Sequence, residues 1–98
     1  MYKFNEDSLV SELKTYIDST YNQHYASDKY QATDVIIDSG HGEGFCIGNI
    51  MKYAKRYGNK QGKNRKDLLK ILYLQVLEII MKILEDKFTF LKLRYMIM

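Results

Sequence analysis

Seven basic side chains and no acidic one lie in the segment GNIMKYAKRYGNKQGKNRK, residues 48–66. Asn49, Lys52 and Arg56 follow one another at spacings of three and four, which places them on one face of a helix. Lysine and arginine are the side chains that bind phosphate oxygens best, an asparagine can bond a base edge or a phosphate, and Tyr53 can stack on a base. The loop that follows adds further cations, namely Lys60, Lys63, Arg65 and Lys66. The pattern predicts a surface that binds RNA, a nucleotide or another phosphate-bearing ligand.

Charge is unevenly distributed along the chain, whose net charge is +3. Residues 1–43 hold three lysines against eight acids, a net of −5, whereas residues 44–98 hold twelve basic residues against four acids, a net of +8. Such a chain either pairs its two halves, which leaves a solvated basic turn, or presents its basic half to a polyanion. We favour the polyanion, because like charges this dense repel one another unless a partner neutralises them.

Common catalytic and cofactor motifs do not fit the sequence. The stretch GNKQGKN has three residues rather than four between its glycines and ends at Asn64, where a phosphate-binding loop has Ser or Thr for magnesium. Gly40, Gly42 and Gly44 lack the spacing of a dinucleotide fingerprint. The single Cys46 has no second cysteine or histidine cluster with which to form a zinc site. We therefore predict no catalytic residue, no metal and no cofactor.

Cys46 and the histidines have simpler interpretations. Cys46 is expected to be a small buried side chain. His24 and Tyr25 are adjacent and both carry hydrogen-bonding groups, so they are candidate ligand contacts.

Length and composition indicate one globular domain, residues 1–98. The hydrophobic fraction of 46%, with nine tyrosines and four phenylalanines, is too high for a disordered chain. No apolar stretch is long enough to span a membrane, and the polar start MYKFNEDS lacks the apolar region of a signal peptide. We expect no membrane partner.

Hydrophobic periodicity predicts an all-α domain of three to four helices. The main helices are expected over about residues 6–20, 44–57 and 66–87, and ATDVIID (32–38) is expected to form a short extra helix. A strand is the alternative for residues 32–38 and for residues 88–98. The second main helix should end at Gly58, where glycine can adopt the left-handed backbone of a helix stop.

The last predicted helix is apolar on most of its circumference. Between Ile71 and Leu84 the polar positions apart from Tyr73 are Gln75, Glu78 and Lys82. A helix of this kind is normally buried on several sides, and the preceding helices are too few to cover it. The sequence therefore predicts that the protein self-associates through this helix.

An ordered set of residues between positions 23 and 77 forms a recognisable pattern. The set is His24-Tyr25, Gln31, Asp34-Val35-Ile36, Phe45, Gly48-Asn49, Lys52-Tyr53, Arg56, Lys60, Asp67-Leu68, Lys70 and Tyr73-Leu74. With these residues the chain resembles the SaV-like family of small tailed-phage proteins of unknown function. Residues 1–22 then form an N-terminal helical extension and residues 78–98 an apolar C-terminal extension.

The resemblance implies a phage protein that acts in the host cytoplasm. In that family one podophage member is described as a nucleotide kinase. Small phage proteins of similar type antagonise host defence systems, and one of them inhibits an RNase toxin and acts with RNA.

Three functions fit these observations. The first is a binding protein whose basic surface holds RNA or another phosphate-bearing ligand and so blocks a host defence enzyme. The second is a nucleoside monophosphate kinase, in which Lys52 and Arg56 clamp the phosphoryl group and Asp34 or Asp67 holds magnesium. The third is a protein interaction module that docks through its last helix. We favour the binding protein, because the chain is short for a kinase that holds two nucleotides and no phosphate-binding loop is present.

Overall fold

Four helices make up the described part of the chain. The computed structural model describes residues 1–24 and 32–97, with side chains described for residues 1–21 and 32–86. The helices are α1 (Glu6–His24), α2 (Ala32–Asp38), α3 (Gly42–Arg56) and α4 (Arg65–Ile97). The described ranges contain no strand, so the predicted all-α class is confirmed and the strand alternative for residues 32–38 is wrong.

The last helix is longer than the sequence predicted, because α4 continues from residue 87 to Ile97. Residues 88–97 contain leucine, methionine, lysine and arginine, which favour helices, and neither glycine nor proline to stop one. A helix also satisfies its backbone N–H and C=O groups internally, whereas a lone strand leaves them without partners. The strand alternative for the tail is therefore also wrong.

Helices α3 and α4 form an antiparallel pair. At one end, a β-carbon on Gly42 would collide with Sδ of Met81, so the absence of a side chain allows α3 to begin in contact with α4. At the other end, Arg56 lies beside Asp67 in the first turn of α4. The part of α4 that follows Met81 therefore extends past the first residue of α3.

The described core is small and lies mainly between α3 and α4. Its buried apolar side chains are Cys46, Leu69 and Leu74, and the expectation of a buried cysteine is confirmed. Burial raises the pKa of the Cys46 thiol, and the nearby Glu78 adds to this effect, so the thiol is a neutral packing group. Within the described residues, no helix has an apolar stretch that is long enough to cross a membrane.

Candidate functional site

A cleft of about 330 Å³ lies where side chains of all four helices meet. We call it the aromatic cleft, and its main lining residues are Tyr16, Phe45, Asn49, Tyr53, Lys70 and Tyr73. The rings of Tyr16 and Tyr73 meet edge to face, with centroids 6.3 Å apart and an interplanar angle of 86°. This geometry is the preferred one for an aromatic pair, so α1 is anchored to α4 at the edge of the cleft.

Tyr16 shows that this edge of the cleft is partly shielded from water. Its phenol has a raised pKa, mainly because burial disfavours the charged phenolate. A hydrogen bond with Thr20 lowers this pKa, whereas the proximity of Tyr53 raises it further. The cleft is therefore a site in which polar interactions are stronger than they are in bulk water.

Two lysines lie over the ring of Tyr53 inside and beside the cleft. The Lys52 nitrogen is 5.2 Å from the ring centroid and the Lys70 nitrogen is 4.9 Å from it. The two charges thus lie within about 10 Å of each other, which is one Debye length in 0.1 M salt. Cation–π contacts hold both ammonium groups, and neither has a carboxylate partner among the described side chains.

Asn49 presents its side-chain amide in a fixed orientation. Its Nδ2 donates a hydrogen bond of 2.8 Å to the carbonyl oxygen of Phe45, one helical turn earlier. Because a carbonyl oxygen only accepts hydrogen bonds, the atom that faces it must be the nitrogen. The amide oxygen Oδ1 therefore points away from this contact and can accept a hydrogen bond from a ligand.

The loop between α3 and α4, together with the first two residues of α4, forms a second feature that we call the basic loop, residues 57–66. Gly58 has a φ of 85°, the left-handed conformation expected of a helix stop, and its N–H donates to the carbonyl oxygen of Gly62 at 2.8 Å. The side chain of Asn59 donates to the carbonyl oxygen of Lys55, and that of Asn64 accepts from the N–H of Lys66. Internal hydrogen bonds therefore fix the backbone of the loop.

The lysines of the basic loop are presented to solvent. Lys60, Lys63 and Lys66 are exposed, and none of them forms an ion pair within the part of the chain that the structure describes. Three cations are thus held on a fixed backbone, with no neutralising partner among the described side chains.

Arg56 is directed at the protein rather than at solvent. Its Nε lies 3.8 Å from Oδ1 of Asp67, whose side chain is only 2% exposed, and its Nη2 donates to Oε1 of Gln61 at 3.3 Å. The separation of 3.8 Å makes the Asp67 contact an ion pair rather than a hydrogen bond. The kinase hypothesis assigned Arg56 to a phosphoryl group and offered Asp67 as a magnesium ligand, but here the two side chains neutralise each other.

Arg65 is also engaged with an acidic side chain. Its guanidinium donates two hydrogen bonds to Glu12 of α1, one of them 2.7 Å from Nε to Oε2. These hydrogen bonds hold the pKa of Glu12 below its usual value of 4.5, against a smaller opposing effect of lost hydration. A phosphate that binds Arg65 must displace this carboxylate.

Replacing Arg65 with glutamine is expected to raise the pKa of Glu12 towards 4.5, because the charged hydrogen-bond donor is lost. A lowered pKa in the folded state stabilises the fold above the unfolded pKa, and this contribution disappears as the pH falls through the folded value. The stability difference between the wild type and Arg65→Gln should therefore be present near neutral pH and vanish in acid. An NMR titration of the Glu12 carboxyl carbon measures the shift, and Lys63→Gln is the matched control. A Glu12 pKa that is identical in all three proteins would contradict the ion pair.

The structure separates the residues predicted from the sequence into three groups. Asn49 and Tyr53 line the aromatic cleft, with Lys52 over the Tyr53 ring. Arg56 and Arg65 are paired with acids. The exposed lysines of the basic loop form the third group, namely Lys60, Lys63 and Lys66. The candidate contacts at His24 and Tyr25 concern side chains that lie outside the described residues.

Sequence reasoning missed four of the main lining residues of the cleft as ligand contacts. Phe45, Lys70 and Tyr73 belong to the pattern that carries the family resemblance, and that was the available signal. Tyr16 recurs at helical spacing with Leu9 and Leu13, a pattern that predicts only the apolar face of a helix. The position of Tyr16 beside Tyr73 follows from the packing of α1 on α4.

Comparison with known proteins identifies a family. The model of a family described as proteins of unknown function, DUF3310, matches residues 19–75. This segment includes α2, α3, the basic loop and the first part of α4, and it therefore contains most of the aromatic cleft. No curated protein and no solved structure matches the chain. Since the match covers more than half of its length, the chain belongs to the DUF3310 family of proteins of unknown function.

Proposed function

We propose that the protein binds RNA, or another phosphate-bearing ligand, through the basic loop and the adjoining end of α3. The observation that carries this proposal is the exposure of Lys60, Lys63 and Lys66 on a backbone that is fixed by hydrogen bonds. None of the three has an acidic partner within the described residues.

The arrangement suits a polyanion for two physical reasons. Neighbouring cations repel one another, and phosphates that lie between them remove this repulsion. A backbone that is already ordered also loses less conformational entropy on binding, so more of the electrostatic free energy appears as affinity. Lys52 and Lys55 are exposed on the part of α3 that precedes the basic loop and add two further cations.

Measuring the affinity for a fluorescently labelled single-stranded RNA at several salt concentrations tests this proposal. Each phosphate that is neutralised releases condensed counterions, so the logarithm of the association constant should fall linearly with log salt, by roughly 0.7 per contact for a single strand. Three contacts in the basic loop predict a slope near −2, if each lysine meets one phosphate. Binding that does not respond to salt, or no binding of any nucleic acid, would refute the proposal.

The resemblance to SaV-like tailed-phage proteins supports a narrower proposal. The protein is then phage-encoded, acts in the host cytoplasm and uses the basic loop to antagonise a host defence system such as an RNase toxin. Co-expression in bacteria tests this: the wild type should restore growth under an RNase toxin, and a variant without the lysines of the basic loop should not. Equal protection by both proteins would show that any antitoxin activity does not depend on the basic loop.

The apolar surface of α4 supports a further part of the proposal, that two copies of the chain associate through this helix. Beyond the stretch that is covered by α3, Ile83 and Leu84 are 51% and 59% exposed, and Ile79 is 60% exposed one turn before Ile83. The described core contains few buried apolar side chains, so a second copy of α4 supplies the cover that the chain itself lacks.

Lysine at both Ile79 and Ile83 is expected to convert this dimer to a monomer, because two charges would enter an apolar contact. Both side chains are more than half exposed in the single chain, so the fold of the monomer should be unaffected. Sedimentation velocity of the wild type and the variant measures the change, with Glu85→Lys on the same helix as the control. A wild type that sediments as a monomer at high concentration would rule out the dimer.

A further inference from the structure

The aromatic cleft carries an inference that goes beyond the basic loop. It combines aromatic walls, one oriented amide and the ammonium group of Lys70 in a single concave site, and a second ammonium group, that of Lys52, lies over the ring of Tyr53 beside it. Clefts that bind small ligands typically have this composition, mostly apolar with a few fixed polar groups.

We propose that the aromatic cleft binds one nucleotide, with its base among the aromatic side chains and its phosphate at Lys70 and Lys52. This inference rests on the proposed function, because it specifies a nucleotide as the phosphate-bearing unit that the protein recognises. The nucleotide is either a free nucleoside monophosphate or one unstacked nucleotide of an RNA strand.

The aromatic side chains favour a base over other planar or apolar groups. Phe45, Tyr53 and Tyr73 come from two helices that are packed together, so their rings are positioned before a ligand arrives. An aromatic side chain that stacks on a base contributes free energy for any base, because every base has a π face. Asn49 then adds a directional contact, since its Oδ1 can accept a hydrogen bond from an exocyclic amino or imino group on the base edge.

The two lysines favour a ligand with negative charge. Lys70 lines the cleft and Lys52 lies over the same tyrosine ring, so an anion close to Tyr53 interacts with both ammonium groups. The partial shielding of the cleft from water strengthens this attraction. A neutral ligand would leave the repulsion between the two charges in place.

The size of the cleft limits the ligand to one nucleotide. Its volume of about 330 Å³ lies at the lower end of the range of roughly 300 to 1,000 Å³ that is found for small-molecule sites. A kinase needs room for two nucleotides, and a volume of this size fits one, so the cleft suits recognition of a single nucleotide.

Calorimetric titration of the whole protein with AMP, GMP, CMP and UMP tests the inference, with the matching nucleosides and inorganic phosphate as comparison ligands. At least one monophosphate should bind, and its nucleoside and free phosphate should each bind on the order of tenfold more weakly or worse, because each lacks half of the contacts. Lys70→Gln should weaken the binding of the nucleotide by a similar factor. Lys14→Gln on the exposed face of α1 is the matched control and should leave nucleotide affinity unchanged.

A measurement on the wild type alone keeps the test valid if Lys70→Gln does not fold. The aromatic NMR signals of Tyr16, Tyr53 and Tyr73 should shift on addition of the monophosphate, since the base would lie against these rings. A ligand at the basic loop would leave them unchanged. If a monophosphate shifts the signals of Tyr16, Tyr53 and Tyr73, the cleft takes a free nucleotide; if only RNA shifts them, it takes one nucleotide of a strand.

Several results would overturn the inference. If RNA binds without shifting these signals and no monophosphate binds, the cleft is not a nucleotide site and the proposed function stands. If free phosphate binds as tightly as the nucleotide, the base is not held in the cleft. If Lys70→Gln folds and has no effect, the phosphate does not lie at Lys70 and the proposed arrangement is wrong. If neither RNA nor any nucleotide binds, both the inference and the proposed function fail.

Discussion

Arg56→Leu is expected to lower the free energy of unfolding by about 3 kcal/mol, because it removes the partner of a buried charge. The Asp67 carboxylate is 2% exposed. Among the described side chains, its oppositely charged partner is Arg56, through Nε. Oδ2 of Asp67 has no hydrogen bond in the described structure, so the carboxylate depends on the arginine for compensation. Arg56 itself is 26% exposed, which places the expected loss at the lower end of values for buried pairs. Urea denaturation followed by circular dichroism measures the change.

The control for this prediction is Lys55→Leu. Lys55 is the preceding residue on α3, is exposed and forms no ion pair in the described chain, so its loss should cost less than about 0.5 kcal/mol. Asp67→Asn in the Arg56→Leu background removes the stranded charge and should recover much of the lost stability. If Arg56→Leu and Lys55→Leu have the same small effect, the ion pair does not stabilise the fold, and Arg56 returns to the set of candidate phosphate contacts.

The Arg56 result also decides how binding assays are interpreted. Arg56 was among the residues predicted to bind phosphate, and a variant that unfolds would lose binding for an indirect reason. Only binding that is lost by a folded variant counts as evidence for a ligand contact.

Replacing Lys60, Lys63 and Lys66 together with glutamine is expected to weaken RNA binding by roughly 10- to 100-fold at low salt and to reduce the salt slope by about 2. The three lysines are exposed and form no ion pair with a described residue, so their removal should leave the fold intact. The reason for the loss is the counterion release that each lysine contributes when it neutralises a phosphate. Fluorescence anisotropy with a labelled single-stranded RNA at several salt concentrations gives both quantities.

A second triple variant separates local contacts from net charge. Replacing Lys3, Lys14 and Lys82 with glutamine removes the same number of positive charges. Both triple variants therefore have a net charge of 0, whereas the wild type has +3. Lys14 and Lys82 are already paired with Asp18 and Asp86 on their own helices. This control should retain nearly all of the wild-type slope. Equal losses in the two variants would show that the protein attracts RNA by overall charge and not through the basic loop.

The sequence by itself determined the local features of the protein. The spacing of apolar residues predicted the helices, and Gly58 predicted the end of α3 to within one residue. The concentration of lysines in the basic loop was visible without a structure, and so was the absence of acids within residues 48–66. These features depend on interactions between residues that are close in sequence, which periodicity and turn chemistry describe directly.

The end of α4 shows where local patterns become insufficient. Residues 88–98 alternate apolar and polar side chains closely enough to permit a strand, yet α4 continues to Ile97. Backbone hydrogen bonding decided the outcome, because a strand needs a neighbour and a helix does not. A pattern of side chains does not show whether such a neighbour exists.

Only the tertiary structure decided which cations face solvent and which face the protein. Asn49, Lys52 and Arg56 share a helix face by spacing, but the antiparallel packing of α3 on α4 places Arg56 against Asp67 and leaves Asn49 beside the aromatic cleft. Tyr16 and Tyr73 meet because α1 packs on α4. Periodicity fixes the direction of a side chain around its own helix, whereas the relative position of two helices depends on how their surfaces fit together. The basic loop was therefore readable from the sequence, and the aromatic cleft exists only because four helices bring distant residues together.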